Sequence, residues 1–193
     1  MPARSTGGER GVNVQRFIKR QVEEIRSTVG NATAINALSG GVDSAVCTVL
    51  GHRALGQRLR TVLVDNALMR AGEPQHVVAL FRSMGIPVDL IDARAAFLRA
   101  LRGLTDPEEK RHAVTRTFYR DVFGRLVRKT GARFLIHGTI LTDIEETVAG
   151  IKRQHNILSQ LGLDVEKEFG YGVIEPLKTL RKHGVRQVGA ALG

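Results

Sequence analysis

The sequence predicts an open, twisted parallel sheet with helices on both faces, and three observations carry that expectation. Short apolar runs ("TAINAL", "LRTVLVD", "IPVDLID", "ARFLIHGT") read as strands of the kind covered on both sides. Helical stretches separate them, and sustained strand–helix alternation calls for parallel pairing through right-handed crossovers. The chain has 193 residues at 42% hydrophobic content, enough for one well-filled core and not for two.

Residues 1–11 are rich in Gly, Ser, Arg and Pro without a period and read as a flexible tail; the globular unit is expected over 12–193. Val14, Phe17, Ile18, Val22, Ile25 and Val29 recur at helical spacing, and Gly30-Asn31 supplies a stop. "TAINAL" follows as a buried strand, "SAVCTVLGHRAL" as a helix and "LRTVLVD" as the second strand. "EPQHVVALFRSMG" is a helix opened by an early proline, and "IPVDLID" is the third strand. "DPEEKRHAVTRTFYRDVFGRLVRKTG" has proline and acids at its start and glycine at its end, the marks of one long amphipathic helix leading into "ARFLIHGT".

Composition excludes several classes. No run of eighteen apolar residues suggests a membrane span, and "MPARSTGGERG" lacks the apolar core of a secretory signal, so a cytoplasmic protein is expected. The single cysteine, Cys47, excludes an internal disulfide or a cysteine-built zinc site and reads as a buried helix residue. The net charge of +10 predicts attraction to phosphates. The basic residues are scattered and only 5% of the chain is aromatic, so a solvated basic surface is favoured over a dedicated nucleic-acid site.

"LSGGVDS" stands where the first strand meets the second helix, the position at which open parallel sheets bind ligands. Two glycines allow a sharp turn that aims backbone N–H groups at an anion, the helix N-terminus adds partial positive charge, and Ser39 and Ser44 carry hydroxyls. A plain strand-to-helix turn capped by Asp43 or Ser44 is the simpler reading of a lone Gly-Gly pair. The loop has neither the lysine of a Walker A motif nor a Gly-x-Gly-x-x-Gly spacing.

Ser39-Gly40-Gly41-Val42-Asp43-Ser44 resembles the pyrophosphate loop of the N-type ATP pyrophosphatases. "VDNALMRAGEP", "LRGLTDPEEKR", "RTF", "HGTILTD", "IKRQHN", "IEPL" and "VRQVGAALG" extend the resemblance, within that superfamily, to the ATP-pyrophosphatase part of GMP synthase, from about Val12 to Gly193. The resemblance implies an adenine nucleotide alpha hydrolase-like fold, ATP and Mg2+ as cofactors, and adenylation of a carbonyl oxygen, that of xanthosine monophosphate (XMP) in the family. It implies that residues 39–44 hold the departing phosphates, with Asp43 a magnesium ligand. Val64, Asp65 and Asn66 would border adenine and ribose, Gly138 and Thr139 would close the pocket, and Asp143 matches an acid after Gly-Thr. Lys110 and Arg116 match cations near the polyphosphate. Lys152, His155 and Asn156 match a lid segment. Taken singly, each has a simpler reading as a surface or capping residue.

The sequence also departs from that family. Ala67 stands where a glycine is usual, Thr142 for proline, Gln154 for a second histidine, and Leu158 and Ser159 for paired lid glycines. The resemblance further expects a C-terminal dimerisation domain beyond Gly193, hence a homo-oligomer, and a separate glutamine amidotransferase to supply nitrogen. The nucleotide half is therefore expected to be kept and the acceptor half altered. The alternatives are an adenylating enzyme for another acceptor such as tRNA, or a nucleotide-binding protein without turnover.

Overall fold

The structure, a computed structural model, describes residues 13–148 and 171–193; the expected N-terminal tail lies outside the described residues. Helix α1 (Val14–Val29) opens where the Asn13 side chain accepts the Arg16 N–H at 3.0 Å and stops at Gly30. Strand β1 (Ala34–Leu38) leads into α2 (Val42–Leu55), and a single 3-10 turn precedes β2 (Leu59–Asp65). Helix α3 (Glu73–Ser83) carries proline in its first turn, and β3 (Val88–Asp92) follows. Next come α4 (Arg94–Leu101) and α5 (Pro107–Arg116), the latter capped by Asp106, whose carboxylate accepts the Glu108 and Glu109 N–H groups at 2.9 Å. After a π-helical segment (Thr117–Phe123) come α6 (Gly124–Thr130), β4 (Phe134–Ile136), α7 (Leu141–Val148), β5 (Gly172–Ile174) and α8 (Lys182–Leu192).

All five strands are parallel in the order β3-β2-β1-β4-β5, so the chain reverses its direction of winding between β1 and β4. That reversal leaves a crevice at the carboxyl ends of these two strands. Alternate residues feed opposite layers. Ala34, Leu38, Leu59 and Leu63 enter the core under α1, α2, α3 and α8, whereas Ile35, Val62, Val64 and Leu135 face α4 and the α5–α6 helix. Helix α2 is buried nearly all round, from Val46 to Leu55, because α1 and α8 cover the side it turns away from the sheet.

The long helix predicted over 106–131 is continuous in path but not in geometry. Phe118 and Phe123 stack with ring centroids 5.8 Å apart. Residues five apart on an α-helix point about 140° away from each other; the wider π turn brings them onto one face. Four elements go beyond the predicted ones: α4, α7, β5 and α8. Strand β5 has three residues and pairs only with β4, too short to show an alternation.

Candidate functional site

At the crevice, β1 ends in Leu38 and the chain turns through Ser39, Gly40 and Gly41 into α2. Gly40 has φ +78, the left-handed region, and a Cβ there would meet Glu73, Val77 and Met69 at 3.5–3.9 Å. Gly41 has φ −81, and Ser39 Oγ at 3.5 Å is the only heavy atom a Cβ would meet, so the strict glycine is the first of the pair. The first intrahelical bond runs from Ala45 N–H to Gly41 O (3.0 Å), which leaves the Val42, Asp43 and Ser44 N–H groups ahead of it at the positive end of the helix.

The two serines brace the loop. Ser44 Oγ donates to Gly41 O (2.9 Å) and accepts from Ser39 N–H (3.1 Å), so its 2.9 Å contact with Ser39 Oγ has Ser39 as donor. Both hydroxyls are thus engaged inside the loop, and the backbone supplies the donors that face outward.

Lys182, the first residue of α8, donates its Nζ to Asp43 Oδ2 at 2.7 Å. The other carboxylate oxygen, Oδ1, is buried without a hydrogen-bond partner among the described residues. An orphaned carboxylate oxygen beside an anion cradle suits magnesium, which takes one or two carboxylates and completes its shell from substrate phosphates and water. Among the described residues no cluster of three or more His, Cys, Asp or Glu side chains holds a metal on its own.

The loop opens onto a cavity of about 370 Å3 between the ends of β1, β2 and β4. Phe118, Tyr119 and Phe123 of the π-helical segment and Leu38, Leu63 and Leu135 of the strands give it apolar walls. Across its floor Thr139 Oγ1 donates to Glu175 Oε1 (2.6 Å), so His137 Nδ1 donates to Thr139 (2.8 Å) and Nε2 is left to accept from the Tyr119 hydroxyl (3.2 Å). Burial pushes the Tyr119 phenol up to about 12, which keeps it a donor. Gly138 fits against the start of α2: a Cβ there would lie 3.3 Å from Asp43 C and Ser44 N. Cys47, buried in α2, has its thiol pushed up by desolvation and by the Asp43 and Glu175 charges, which makes it inert.

Of the residues implied by the resemblance, Ser39, Asp43, Ser44, Val64, Asn66, Gly138, Thr139 and Asp143 line this cavity. Gly40, Gly41 and Val42 shape its loop. Asp65 and Asn66 also work locally, accepting the Ala67 and Leu68 N–H groups at 3.0 and 2.9 Å. Lys110 and Arg116 lie exposed on α5 and are not brought to the cavity. Lys152, His155 and Asn156, with Gln154, Leu158 and Ser159, lie outside the described residues.

The family profile described as NAD synthase matches residues 12–119, more than half of the chain. The chain belongs to the NAD synthase family. Its kinship with the ATP-pyrophosphatase part of GMP synthase is shown by curated relatives. A subunit of the glutamine-hydrolyzing GMP synthase of Archaeoglobus fulgidus is 47% identical over 182 residues, covering 94% of this chain and 58% of the relative. The chain thus spans a little over half the length of the curated relatives it matches. Among solved structures, the NH3-dependent NAD synthetase of Campylobacter jejuni superposes with a TM-score of 0.70 at 15% identity, covering 94% of this chain and 74% of that one. The U34-tRNA thiolase NcsA of Methanococcus maripaludis does so at 0.64 and 21%, covering 92% of this chain and 65% of that one. Both share the NAD synthase-family fold, the Rossmann-like sheet expected from the sequence, and their different names show that the fold does not choose the acceptor.

Sequence reasoning did not find Lys182, His137, Glu175, Tyr119 or the two pocket phenylalanines. "HGT" and "IEPL" stood among the matched motifs, but nothing in their spacing says that Thr139 meets Glu175 across 36 residues.

Proposed function

We propose that this chain is the catalytic core of a GMP-synthase-type ATP pyrophosphatase. The observation that carries the reading is the 39–44 loop, its N–H donors and the unpartnered Asp43 oxygen opening onto one cavity at the sheet's reversal point. ATP would place adenine among the apolar walls near Val64 and Asn66 and its β and γ phosphates on the loop. The carbonyl oxygen of XMP attacks the α-phosphorus, the bond to the bridging oxygen breaks, and pyrophosphate leaves with the electron pair. Ammonia then displaces AMP from the adenylated carbon. Magnesium, held by Asp43, supplies neutralisation of the phosphate charge. The backbone N–H groups of 42–44 and the Lys182 ammonium orient the leaving group and offset its charge.

The curated relatives are each named as one subunit of a glutamine-hydrolyzing enzyme, which supports a separate glutamine-hydrolysing chain as nitrogen source. No helix among the described residues is long and apolar enough to cross a membrane, and the assignment to the cytoplasm rests on the biosynthetic reading. Calorimetry with ATP and Mg2+, followed by pyrophosphate release with and without XMP and ammonia, tests the proposal. ATP binding with release stimulated by XMP is expected, with XMP bound far more weakly than ATP because of the lid departures. Release indifferent to XMP points to another carbonyl acceptor, and ATP binding without release in any mixture makes this a nucleotide-binding protein.

A further inference from the structure

On the opposite face of the π-helical segment, α4 and α6 enclose a cleft of about 580 Å3 lined by Arg99, Arg120, Arg125 and Arg128. A second cleft of about 540 Å3 shares Ala96, Arg99 and Arg125 with it and adds Lys129, so the two form one groove. Its carboxylates are Asp121 and Asp92, and Asp92 is held by Arg94 at 2.6 and 2.9 Å. Arg125 Nε reaches the Asp121 carbonyl. The charged ends of Arg99, Arg120, Arg128 and Lys129 have no hydrogen-bond or ion-pair partner among the described residues. Five cations thus face a concave space with a single uncommitted acid.

The chemistry of the lining selects the ligand. Ala95, Ala96 and Ala100 keep the floor low, and arginine forks match phosphate oxygens in pairs. No aromatic side chain lines either cleft, so nothing there stacks a base as a single-strand surface does. The cations ring a space of ligand size, bounded by a helix only about 12 Å long, rather than running along an extended stripe. The segment between groove and cavity is shared. Thr117, Arg120 and Asp121 face the groove, while Phe118, Tyr119 and Phe123 face the cavity at the phosphate loop. A load on one side of this irregular turn is transmitted to the aromatic wall on the other.

We propose that the groove is a second, regulatory anion site for a small polyphosphate-bearing ligand, coupled to the loop cavity through Thr117–Phe123. Inorganic tripolyphosphate is the probe. In protein saturated with a non-hydrolysable ATP analogue, calorimetry is expected to show one further tripolyphosphate per chain, and Arg99→Ala with Arg128→Ala to weaken it at least tenfold at unchanged melting temperature. Because direct competition does not alter a dissociation rate, the release of a fluorescent ATP analogue on large dilution reads the coupling. Tripolyphosphate should change that rate at least threefold in the parent and not in the double variant. No second class of binding, binding indifferent to the two arginines, or an unchanged release rate would overturn the proposal. So would an RNA hairpin that occupies the groove where tripolyphosphate does not.

Discussion

Helix α2 and the α5–α6 helix meet the same cavity in opposite ways. Helix α2 meets it end-on with backbone N–H groups, keeps regular geometry, and is buried nearly all round by apolar side chains. The α5–α6 helix meets it side-on with Phe118, Tyr119 and Phe123, abandons α geometry to do so, and leaves its other face to arginines. Donors at a helix end need only the right turn before them, whereas side chains on a helix flank need a particular rotation. The first arrangement is written locally; the second depends on what the helix packs against.

The largest effect should come from the flank. Phe123→Ala empties a fully buried ring position shared with Tyr171 and should cost about 3–5 kcal/mol in denaturant unfolding. If it costs under about 1 kcal/mol, the stack does not hold the π turn. At the helix end, Gly40→Val forces a β-branched residue into the left-handed region among Glu73, Val77 and Met69. ATP affinity by calorimetry should fall about 100-fold, which corresponds to about 2.7 kcal/mol. Gly41→Ala, with ordinary φ and open space, should lose far less; equal losses would erase the distinction between the two glycines.

The flank should also be the alkali-sensitive side. The Tyr119 and Tyr171 hydroxyls are both pushed up to about 12 in the folded protein, chiefly by burial, against an ordinary value near 10. The folded state therefore holds protons more tightly than the unfolded one between these values. The stabilisation is complete below pH 10 and is lost as pH rises from 10 to 12, so the melting temperature should drop by several degrees over that interval. Tyr119→Phe should flatten part of the fall, and an unchanged profile would place the phenol in water.

At the helix end, Lys182→Met removes the partner of Asp43. The lysine side chain is about half exposed, which limits the pair to about 0.5–1 kcal/mol in a double-mutant cycle with Asp43→Asn. A coupling of zero would leave the ion pair without energetic consequence. The smallest effect is expected at Ala67, which holds φ +65 where the family usually carries glycine. Ala67→Gly relieves the left-handed strain and gives back part of it as unfolded-chain entropy, for a net gain of about 0.5 kcal/mol. Destabilisation instead would mean that the turn through Asp65 depends on the methyl group.

What the sequence determined is what short stretches of chain decide. Alternating apolar runs set the strands, Asp106-Pro107 and Gly131 bounded the long helix, and the Gly-Gly turn at a strand's end marked the anion cradle, because each signal lies within a few residues of its consequence. Only the tertiary structure decided who meets whom. Lys182 reaches Asp43 across 139 residues, and Thr139 reaches Glu175 only because β5 joins the sheet beside β4. The aromatic wall turned toward the cavity only because Phe118 and Phe123 share a π face that an α-helical reading would set apart. Lys110 and Arg116, in phase with a family motif, ended on solvent. Side-chain direction depends on packing against distant elements, and such contacts leave no spacing in the sequence to read.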